Sequence, residues 1–408
     1  MNLLTEDVLQ SLAVNCTVPI VLRGFVKDWP MCQWSPEKWC SIFGDKKIPF
    51  RCMRKCSTSD DPCWERRCNL KSMTFNEFLE SLPTTEECMY FDYKYLHQWF
   101  DEDSEVCKNL SWKQFGYPDK SASDSTVWVG NKGSHTPAHQ DTYGVNIVAQ
   151  LHGMKRWLLF PPETGGLKPT RVPYEESSVY SELNFYRPNQ LEPFSGLTGG
   201  RIVELQAGDA LLVPRGWWHY VQNMQDLNIA VNVWLPHEQD NSTRVSEALV
   251  KILVAQICKD LPQKTAKLLV NPNEDDVSDT PLAVLFLQLE TVANASIDSR
   301  KKLRRAKRQK TVEEHANSSK PNTEYNLQSL LENKENRLEI AAPISGADIV
   351  ELIKQNLKEF ASTDSVLDEV DGDTSRLGLT KAVIDAFCRP DVVDLVKRNL
   401  FAKLNNTS

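Results

Sequence analysis

Short apolar runs, in which hydrophobic and polar positions alternate, fill the chain between residues 126 and 238. Each run is bounded by Gly, Pro, Asn or Asp, which are common at strand ends and in turns. No helical pattern separates one run from the next, so the pattern predicts an antiparallel sandwich or barrel instead of a parallel sheet. The runs are TVWVG, NIVAQLHG, KRWLLFPP, RIVELQAGDALLVP, WWHYVQ and NIAVNVWLP.

The regions on either side follow other patterns. PIVLRGFVKDWP (residues 19–30) indicates a strand and a turn, and SPEKWCSIF after it indicates a helix, so we predict an α/β part over residues 1–125. After residue 238 apolar residues recur at helical spacing, as in STRVSEALVKILVAQICKD (242–260). The segments predicted there are a helical extension over 239–298, a charged and flexible linker over 299–345, and C-terminal helices over 346–408.

Composition adds limits on location and partners. Hydrophobic residues make up 41% and charged residues 25% of the chain, which is typical of a globular protein. The formal net charge of −8 argues against a protein that coats nucleic acid. The opening MNLLTEDVLQ shows neither a secretory signal nor a membrane span, and 11 cysteines without a secretory context favour reduced thiols. We therefore expect a cytoplasmic protein with no membrane partner.

Three residues have the chemistry and spacing of a metal site. HTPAHQD places His139 and Asp141 two residues apart, and in a strand that spacing puts both side chains on one face. His219, in PRGWWHYV, lies near the start of a later strand that can run antiparallel to the first. Two imidazoles and one carboxylate make a facial triad for iron(II). A His-x-Asp motif alone occurs often by chance, so the prediction depends on the strand context and on polar neighbours.

The polar neighbours lie in strands that are otherwise apolar. Asn146 and Asn232 need partners if they are buried, and a metal with an anionic ligand would provide them. Lys155 precedes the apolar run WLLF, and a buried ammonium needs a carboxylate, so a dicarboxylate co-substrate is one natural counter-ion. The alternative is a lysine that extends to solvent from the start of its strand. Arg156 points to the other face of the strand.

These motifs, in this order and spacing, resemble the JmjC oxygenases. The strings are HTPAHQD, GMKRWLLFPPE, AGDALLVPRGWWHYV and NIAVNVW, and the resemblance covers residues 17–238. It is strongest to the subgroup related to an asparaginyl hydroxylase. DYKY, PYEESSVYS and LFPPE extend it, through the helical tail, to a branch associated with small heat-shock proteins. The resemblance implies a double-stranded β-helix, which is a jelly roll of the cupin type, followed by an α-helical region.

The resemblance also implies a role for each matching residue. His139, Asp141 and His219 would bind Fe(II). Residues that would contact the co-substrate 2-oxoglutarate are Lys155, Thr136 and Tyr90 at its distal carboxylate, with Asn146 and Asn232 lining the pocket. Aromatic residues crowd MYFDYKY, so Tyr93 is an alternative to Tyr90.

The expected function is hydroxylation of a protein side chain by an iron(II)- and 2-oxoglutarate-dependent dioxygenase. Two alternatives stay open: a non-catalytic scaffold that binds a small heat-shock protein, and an RNA-base hydroxylase. The tail segments PLAVLFLQLETVANA and VVDLVKRNLFAKL carry more apolar positions than one packed face needs. Because related barrels dimerise through such helices, we also expect a homodimer through the C-terminal helices. The alternative is that these helices bury their apolar residues only against one another within one chain.

Other candidate features are predicted to be structural. The cysteines of one polar loop lack a CxxC pair and a nearby histidine, so a zinc site is disfavoured there; they are Cys52, Cys56, Cys63 and Cys68. The basic run at 299–310 resembles a nuclear signal or an RNA-binding strip, but we favour a solvated helix or linker face. The histidines without a partner at ligand spacing are His97, His135, His152, His237 and His315.

Overall fold

The alternating runs form antiparallel strands in a computed structural model of the chain. The structure describes residues 4–65, 68–170, 178–262, 266, 269, 280–316, 326–361 and 377–406. The strands are β1 (Ile20–Leu22), β2 (Ile48–Arg54), β3 (Asn69–Met73), β4 (Glu87–Tyr95), β5 (Ser125–Gly130), β6 (His135–Asp141), β7 (Val145–His152), β8 (Met154–Phe160), β9 (Ser178–Tyr180), β10 (Arg201–Gln206), β11 (Ala210–Val213), β12 (Trp218–Asn223), β13 (Asn228–Leu235), β14 (Leu338–Ile340) and β15 (Ala342–Pro343).

Helices occupy the N-terminal part and the C-terminal region. Several begin at a Ser or Thr whose hydroxyl accepts a hydrogen bond from an N–H of the first turn, as Ser345 and Thr74 do. The helices are α1 (Glu6–Asn15), α2 (Pro36–Phe43), α3 (Phe75–Ser81), α4 (Leu96–Trp99), α5 (Glu105–Asn109), α6 (Glu192–Ser195), α7 (Asp240–Cys258), α8 (Leu282–Ala316), α9 (Leu327–Glu332), α10 (Gly346–Glu359), α11 (Leu377–Phe387) and α12 (Pro390–Asn406). Short 3₁₀ helices lie at Pro30–Gln33, Lys113–Phe115, Ala122–Asp124 and Lys334–Asn336.

The first of two compact units is a β-sandwich. It combines residues 1–168, 181–235 and 326–369. Its larger sheet has the strand order β14-β1-β11-β7-β13-β5-β4-β2-β3, and its second sheet runs β15-β10-β8-β12-β6. Every pair in these two orders is antiparallel, as expected for a jelly roll. The predicted cupin-type fold is therefore confirmed.

Alternation along the strands puts an aliphatic and aromatic cluster between the two sheets. On β8 the residues Trp157 and Leu159 point inward, and β10 contributes Val203 and Leu205 to the same cluster. A tight turn joins β7 to β8 at Gly153, whose φ is +73°. A Cβ at this position would meet the carbonyl oxygen of Leu227, so the turn depends on glycine.

The second unit is mainly helical and contains α7, α8, α11 and α12. Its buried apolar residues form two clusters. The members include Val254, Cys258, Leu285 and Ile384 in one cluster and Val245, Leu289, Val292 and Phe401 in the other. Large apolar side chains also remain exposed on these helices, namely Phe286, Leu287, Leu379, Phe387, Leu395 and Val396. Among the described residues, no helix has both the length and the apolar character that a membrane span requires.

The structure differs from the predicted segments at two places. Helix α8 runs from Leu282 to Ala316 and so crosses residue 299, where the sequence predicts that a linker begins. The charged second half of this helix keeps a helical backbone. Strand β14 adds to the edge strand β1, whose backbone groups would otherwise lack partners on that side. Thus 338–343, placed in the linker by the sequence, and α10, placed with the C-terminal helices, lie in the first unit. The predicted domain bounds remain a prediction.

Candidate metal centre

His139, Asp141 and His219 converge between the sheets of the first unit. Strands β6 and β12 are antiparallel neighbours, and their register sets His139 directly opposite His219. Asp141 lies two residues further along β6, on the same face. The Nε2 atom of His139 is 3.7 Å from Asp141 Oδ1, and that of His219 is 3.8 Å from Asp141 Oδ2. One potential ligand atom from each residue lies within 4.8 Å of the other two.

Both histidines are held with the same ring nitrogen toward this cluster. The Nδ1 of His139 is 2.9 Å from the carbonyl oxygen of Pro137, and the Nδ1 of His219 is 3.0 Å from that of Trp217. A carbonyl oxygen only accepts, so Nδ1 carries a proton in both rings and Nε2 is the nitrogen that faces Asp141. Burial, with the neighbouring His219, lowers the pKa of His139 to about 4. A neutral imidazole is the form that binds a metal.

The carboxylate of Asp141 is oriented by two donors on neighbouring strands. Trp234 Nε1 donates to Asp141 Oδ2 at 2.9 Å, and Asn146 Nδ2 donates to the same oxygen at 3.1 Å. Trp234 was not among the site residues predicted from the sequence. Its signal is available in NIAVNVW, where Trp234 lies two residues after Asn232 and therefore on the same strand face.

A hydrogen-bonded chain continues from Asn146 to strand β5. Asn232 Nδ2 donates to Asn146 Oδ1 at 2.9 Å, and Trp128 Nε1 donates to Asn232 Oδ1 at 2.8 Å. The Thr126 hydroxyl donates to that same Asn232 oxygen. Thr126 and Trp128 were not predicted, although their i, i+2 spacing in TVW places them on one face. The network therefore holds Asn146 and Asn232 by their amide groups and fixes Asp141 through them.

Lys155 is buried in the same interior, with 2% of its surface exposed. Its ammonium donates to the Tyr90 hydroxyl at 2.8 Å and lies 5.0 Å from the centre of that ring. Among the residues that the structure describes, no carboxylate pairs with Lys155. The structure thus places Tyr90 at Lys155, whereas Tyr93 is 39% exposed and packs its ring against Trp234.

Thr136 reaches the interior through an irregularity in β6. The register pairs His139 with His219 and Thr136 with Val221, so three steps along β6 match two steps along β12. An extra residue of this kind reverses the alternation, which gives Thr136 the same facing as His139. Regular alternation would have put the two residues on opposite faces. Thr136 is buried at this position.

The triad is the one group of three or more potential metal ligands that the described part of the chain brings together. The cysteines Cys52, Cys56, Cys63 and Cys68 do not converge on a common point there. His135 instead stacks on Tyr186, with ring centres 4.4 Å apart. His97 Nδ1 lies 3.0 Å from the Ser123 carbonyl oxygen, which is an ordinary hydrogen bond.

Comparison with known proteins gives the family. A model of the cupin-like domain matches residues 7–241 of the chain. The chain belongs to this cupin-like family. The match includes all strands from β1 to β13, and with them the metal-ligand cluster and Lys155.

Individual relatives place the cupin-like domain among JmjC proteins, as the sequence motifs predicted. HSPB1-associated protein 1 of Bos taurus is 36% identical over 286 residues, which are 66% of this chain and 59% of that protein. The Rattus norvegicus protein of that name is 33% identical over 340 residues, which are 79% and 70% of the two chains. Lysine-specific demethylase 8 of Xenopus tropicalis is 26% identical over 225 residues, 53% and 47% of the two chains. The chain thus spans about three fifths of the bovine relative, 59% of its length.

Proposed function

We propose that the cupin-like domain is an iron(II)- and 2-oxoglutarate-dependent oxygenase that hydroxylates a protein side chain. One observation carries the proposal: a cluster of two imidazoles and a carboxylate shares the sandwich interior with a buried lysine that has no carboxylate partner among the described residues. The cluster suits a metal cation and the lysine suits an anion. A co-substrate with a carboxylate at one end and metal-binding oxygens at the other would satisfy both.

The donor set fits iron(II). His139, His219 and Asp141 provide two nitrogens and one oxygen, the combination found in non-haem iron oxygenases that leave coordination positions open. When bound, iron(II) supplies the redox chemistry that couples oxidation of 2-oxoglutarate by O₂ to hydroxylation of a substrate C–H bond. The chain would hold the metal through His139, His219 and Asp141. Trp234 and Asn146 prevent rotation of the Asp141 carboxylate.

Lys155, Tyr90 and Thr136 would bind the distal carboxylate of 2-oxoglutarate. Lys155 supplies the counter-charge, and Tyr90 fixes the position of its ammonium through the 2.8 Å hydrogen bond. In a buried site such a charged hydrogen bond contributes more than it does in water. Asn146 and Asn232 would line the pocket with amides that already hold each other in place.

The names of the relatives suggest a partner. Proteins called HSPB1-associated protein 1 are 33–36% identical to this chain in cattle and rat, so we propose a small heat-shock protein as the binding partner and candidate substrate.

The same names favour a second function, a scaffold that binds this partner without catalysis. The buried Lys155 argues for the enzyme, because a scaffold gains nothing from a buried ammonium that pairs with no carboxylate of the described residues. We place both functions in the cytoplasm, where 11 free cysteines are stable.

We also propose that the helical unit forms a homodimer. Its helices expose Phe286 (53%), Leu287 (62%) and Leu379 (78%), which is unusual for a surface in water. Light scattering of the full chain at micromolar concentration tests this, and a monomer at all concentrations would contradict it. Glutamate at Leu287 and Leu379 should lower the mass to that of one chain.

Anaerobic calorimetry of the full chain tests the proposed oxygenase. The chain is titrated first with iron(II) and then with 2-oxoglutarate, and we expect the second to bind only after the first. Oxygen and a small heat-shock protein are then added, and peptide mass spectrometry is used to find the gain of one oxygen atom. A chain that binds the heat-shock protein but binds neither iron(II) nor 2-oxoglutarate would be a scaffold.

A further inference from the structure

Two cysteines outside the metal centre lie in contact with each other. The sulfur atoms of Cys63 and Cys68 are 3.3 Å apart, and both side chains are half-buried. This is the one sulfur–sulfur contact among the 11 cysteines, all of which fall within the described residues. A disulfide has an S–S length of about 2.05 Å, so the two sulfurs need to approach by little more than about 1 Å to form one.

The surroundings favour a thiolate on Cys68. A hydrogen bond from Cys63 and then the charge of Arg51 lower the pKa of Cys68 to about 7, against the opposing effect of burial. The same hydrogen bond, together with burial, raises the pKa of Cys63. Cys63 is therefore the proton donor of the pair. Arg51 is fixed in place by Asp92, whose Oδ1 accepts from Arg51 Nε at 2.9 Å.

Other cysteines in the fold have the opposite character. Burial raises the pKa of Cys16 and of Cys88 to about 12, and that of Cys52 to about 11. A thiol with a raised pKa is protonated at neutral pH and reacts slowly, because the thiolate is the nucleophile. Cys68 thus combines a stabilised thiolate, partial exposure and a second thiol in contact, the features of redox-sensing cysteines.

We propose that Cys63 and Cys68 form a redox-active dithiol that is oxidised to a disulfide by peroxide. The Cys68 thiolate attacks one oxygen of hydrogen peroxide; the O–O bond breaks, Cys68 becomes a sulfenic acid and hydroxide leaves as water after protonation. The Cys63 sulfur then attacks the Cys68 sulfur, its proton leaves with the sulfenic hydroxyl, and a second water is released. In balance, two thiols and one peroxide give one disulfide and two waters, and a cellular thiol reductant reverses the change.

Peroxide titration of the reduced, chelator-treated full chain tests the proposal, because removal of iron prevents metal-driven oxidation. Free thiols are then blocked and the chain is digested with trypsin. Arg66 and Arg67 lie between the two cysteines in the sequence, so trypsin separates them into peptides that only a disulfide can join. We expect this linked pair at peroxide doses that leave the half-buried Cys40 and Cys107 as free thiols.

Two variants separate the roles of the cysteines. In Cys63→Ala the sulfenic acid on Cys68 has no resolving partner, so dimedone should label Cys68; Cys107→Ala is the matched control and should leave the disulfide unchanged. The alkylation rate of Cys68 by iodoacetamide should rise with pH around a midpoint of about 7, and Cys63→Ala should move this midpoint upward. Equal oxidation of Cys40 and Cys107, or an unchanged midpoint in Cys63→Ala, would overturn the proposal.

Discussion

The interior of the β-sandwich has a polar part and an apolar part, and the same strands build both. Strand β8 carries Lys155 and, on the same face, Trp157 and Leu159. Strand β12 carries His219 and Val221 in the same relation. The polar residues therefore lie on the same strands as the apolar core residues. They occupy a few inward-facing positions, and the other inward-facing positions of these strands are apolar.

The apolar and polar parts of the interior contribute differently to the stability of the fold. Apolar burial in the cluster around Leu205 and Leu211 stabilises the fold. Burial of Lys155 and His139 costs desolvation that their contacts offset only in part. Substitutions in the polar part should thus change binding with little effect on folding, and substitutions in the apolar part should do the reverse. The following predictions test that separation.

The largest expected effect is on metal binding. Replacement of Asp141 or His219 by alanine removes one of the three proposed ligands, so we expect iron(II) binding to fall below detection in anaerobic calorimetry. The thermal midpoint should stay near that of the parent, because no apolar contact is lost. Asp226→Ala, at an exposed carboxylate, is the control. Iron(II) binding of unchanged affinity in either variant would refute the assigned triad.

Lys155→Met should weaken 2-oxoglutarate binding and leave iron(II) binding almost unchanged. Methionine keeps the length of the buried stem but removes the ammonium that donates to Tyr90. Loss of a buried charged hydrogen bond costs on the order of 2–4 kcal/mol, or roughly 30- to 1000-fold in affinity. Arg156→Met is the matched control, because Arg156 follows Lys155 on β8, points to the outer face and pairs with Glu204 of the neighbouring strand β10. If both ligands weakened equally, Lys155 would not lie at the carboxylate.

In the apolar part, Leu205→Ala should lower the free energy of unfolding by about 2–5 kcal/mol. Leu205 is fully buried in the cluster between the sheets, so the variant loses contacts and leaves a cavity. Chemical denaturation followed by tryptophan fluorescence measures the loss. The iron(II) affinity of the folded variant should equal that of the parent. A weakened iron site would show that the two parts of the interior are coupled.

Much of the metal site follows from strand alternation in the sequence. Period-two alternation puts His139 and Asp141 on one face, whereas the apolar run after Lys155 left open whether this lysine is buried or extends to solvent. Thr136 is different, because only a register irregularity against β12 turns it inward, and no local pattern reveals where a strand gains a residue. The resemblance to JmjC proteins supplied this residue, whereas the alternation pattern would have excluded it.

Contacts that depend on the tertiary fold were the other features that the sequence did not predict. Strand β14 joins β1 across more than three hundred residues of chain, as in the pairing of Val21 with Glu339. Cys63 and Cys68 lack CxxC spacing, so their contact depends on how the loop folds beside Arg51. Trp234 was visible as an apolar residue, but its hydrogen bond to Asp141 needs the register between β13 and β7.

Trp234→Phe should lower iron(II) affinity by a modest factor. Phenylalanine keeps most of the ring but cannot donate to Asp141, which leaves Asn146 as the side chain that still donates to this oxygen. Loss of one such supporting hydrogen bond typically costs about 10-fold or more in metal affinity. Trp128→Phe, one step further from the carboxylate, should have a smaller effect. A loss in Trp234→Phe as complete as in Asp141→Ala would mean that the indole does more than orient the ligand.

The prediction with the smallest effect at neutral pH concerns a buried histidine outside the candidate metal centre. Burial lowers the pKa of His135 from 6.5 to about 4. Between these pH values the unfolded chain binds a proton at this residue and the folded chain does not, so stability falls as pH falls through this window and is fully present above pH 6.5. One proton corresponds to about 1.4 kcal/mol per pH unit.

The variant His135→Gln removes this proton but keeps a polar group that can reach the Gly133 carbonyl, which lies 2.9 Å from His135 Nδ1. We expect the slope of unfolding free energy against pH to decrease by up to about 1.4 kcal/mol per pH unit between pH 4 and 6.5 in this variant. His139 contributes to the slope that remains in this variant, because its pKa is also lowered to about 4. This residue lies in the candidate metal site. If iron(II) binds only the folded chain with neutral His139, as proposed, a saturating concentration should raise stability in parent and variant alike without restoring the lost part of the slope. An unchanged slope in His135→Gln would show that His135 is protonated in the folded chain or already neutral in the unfolded one.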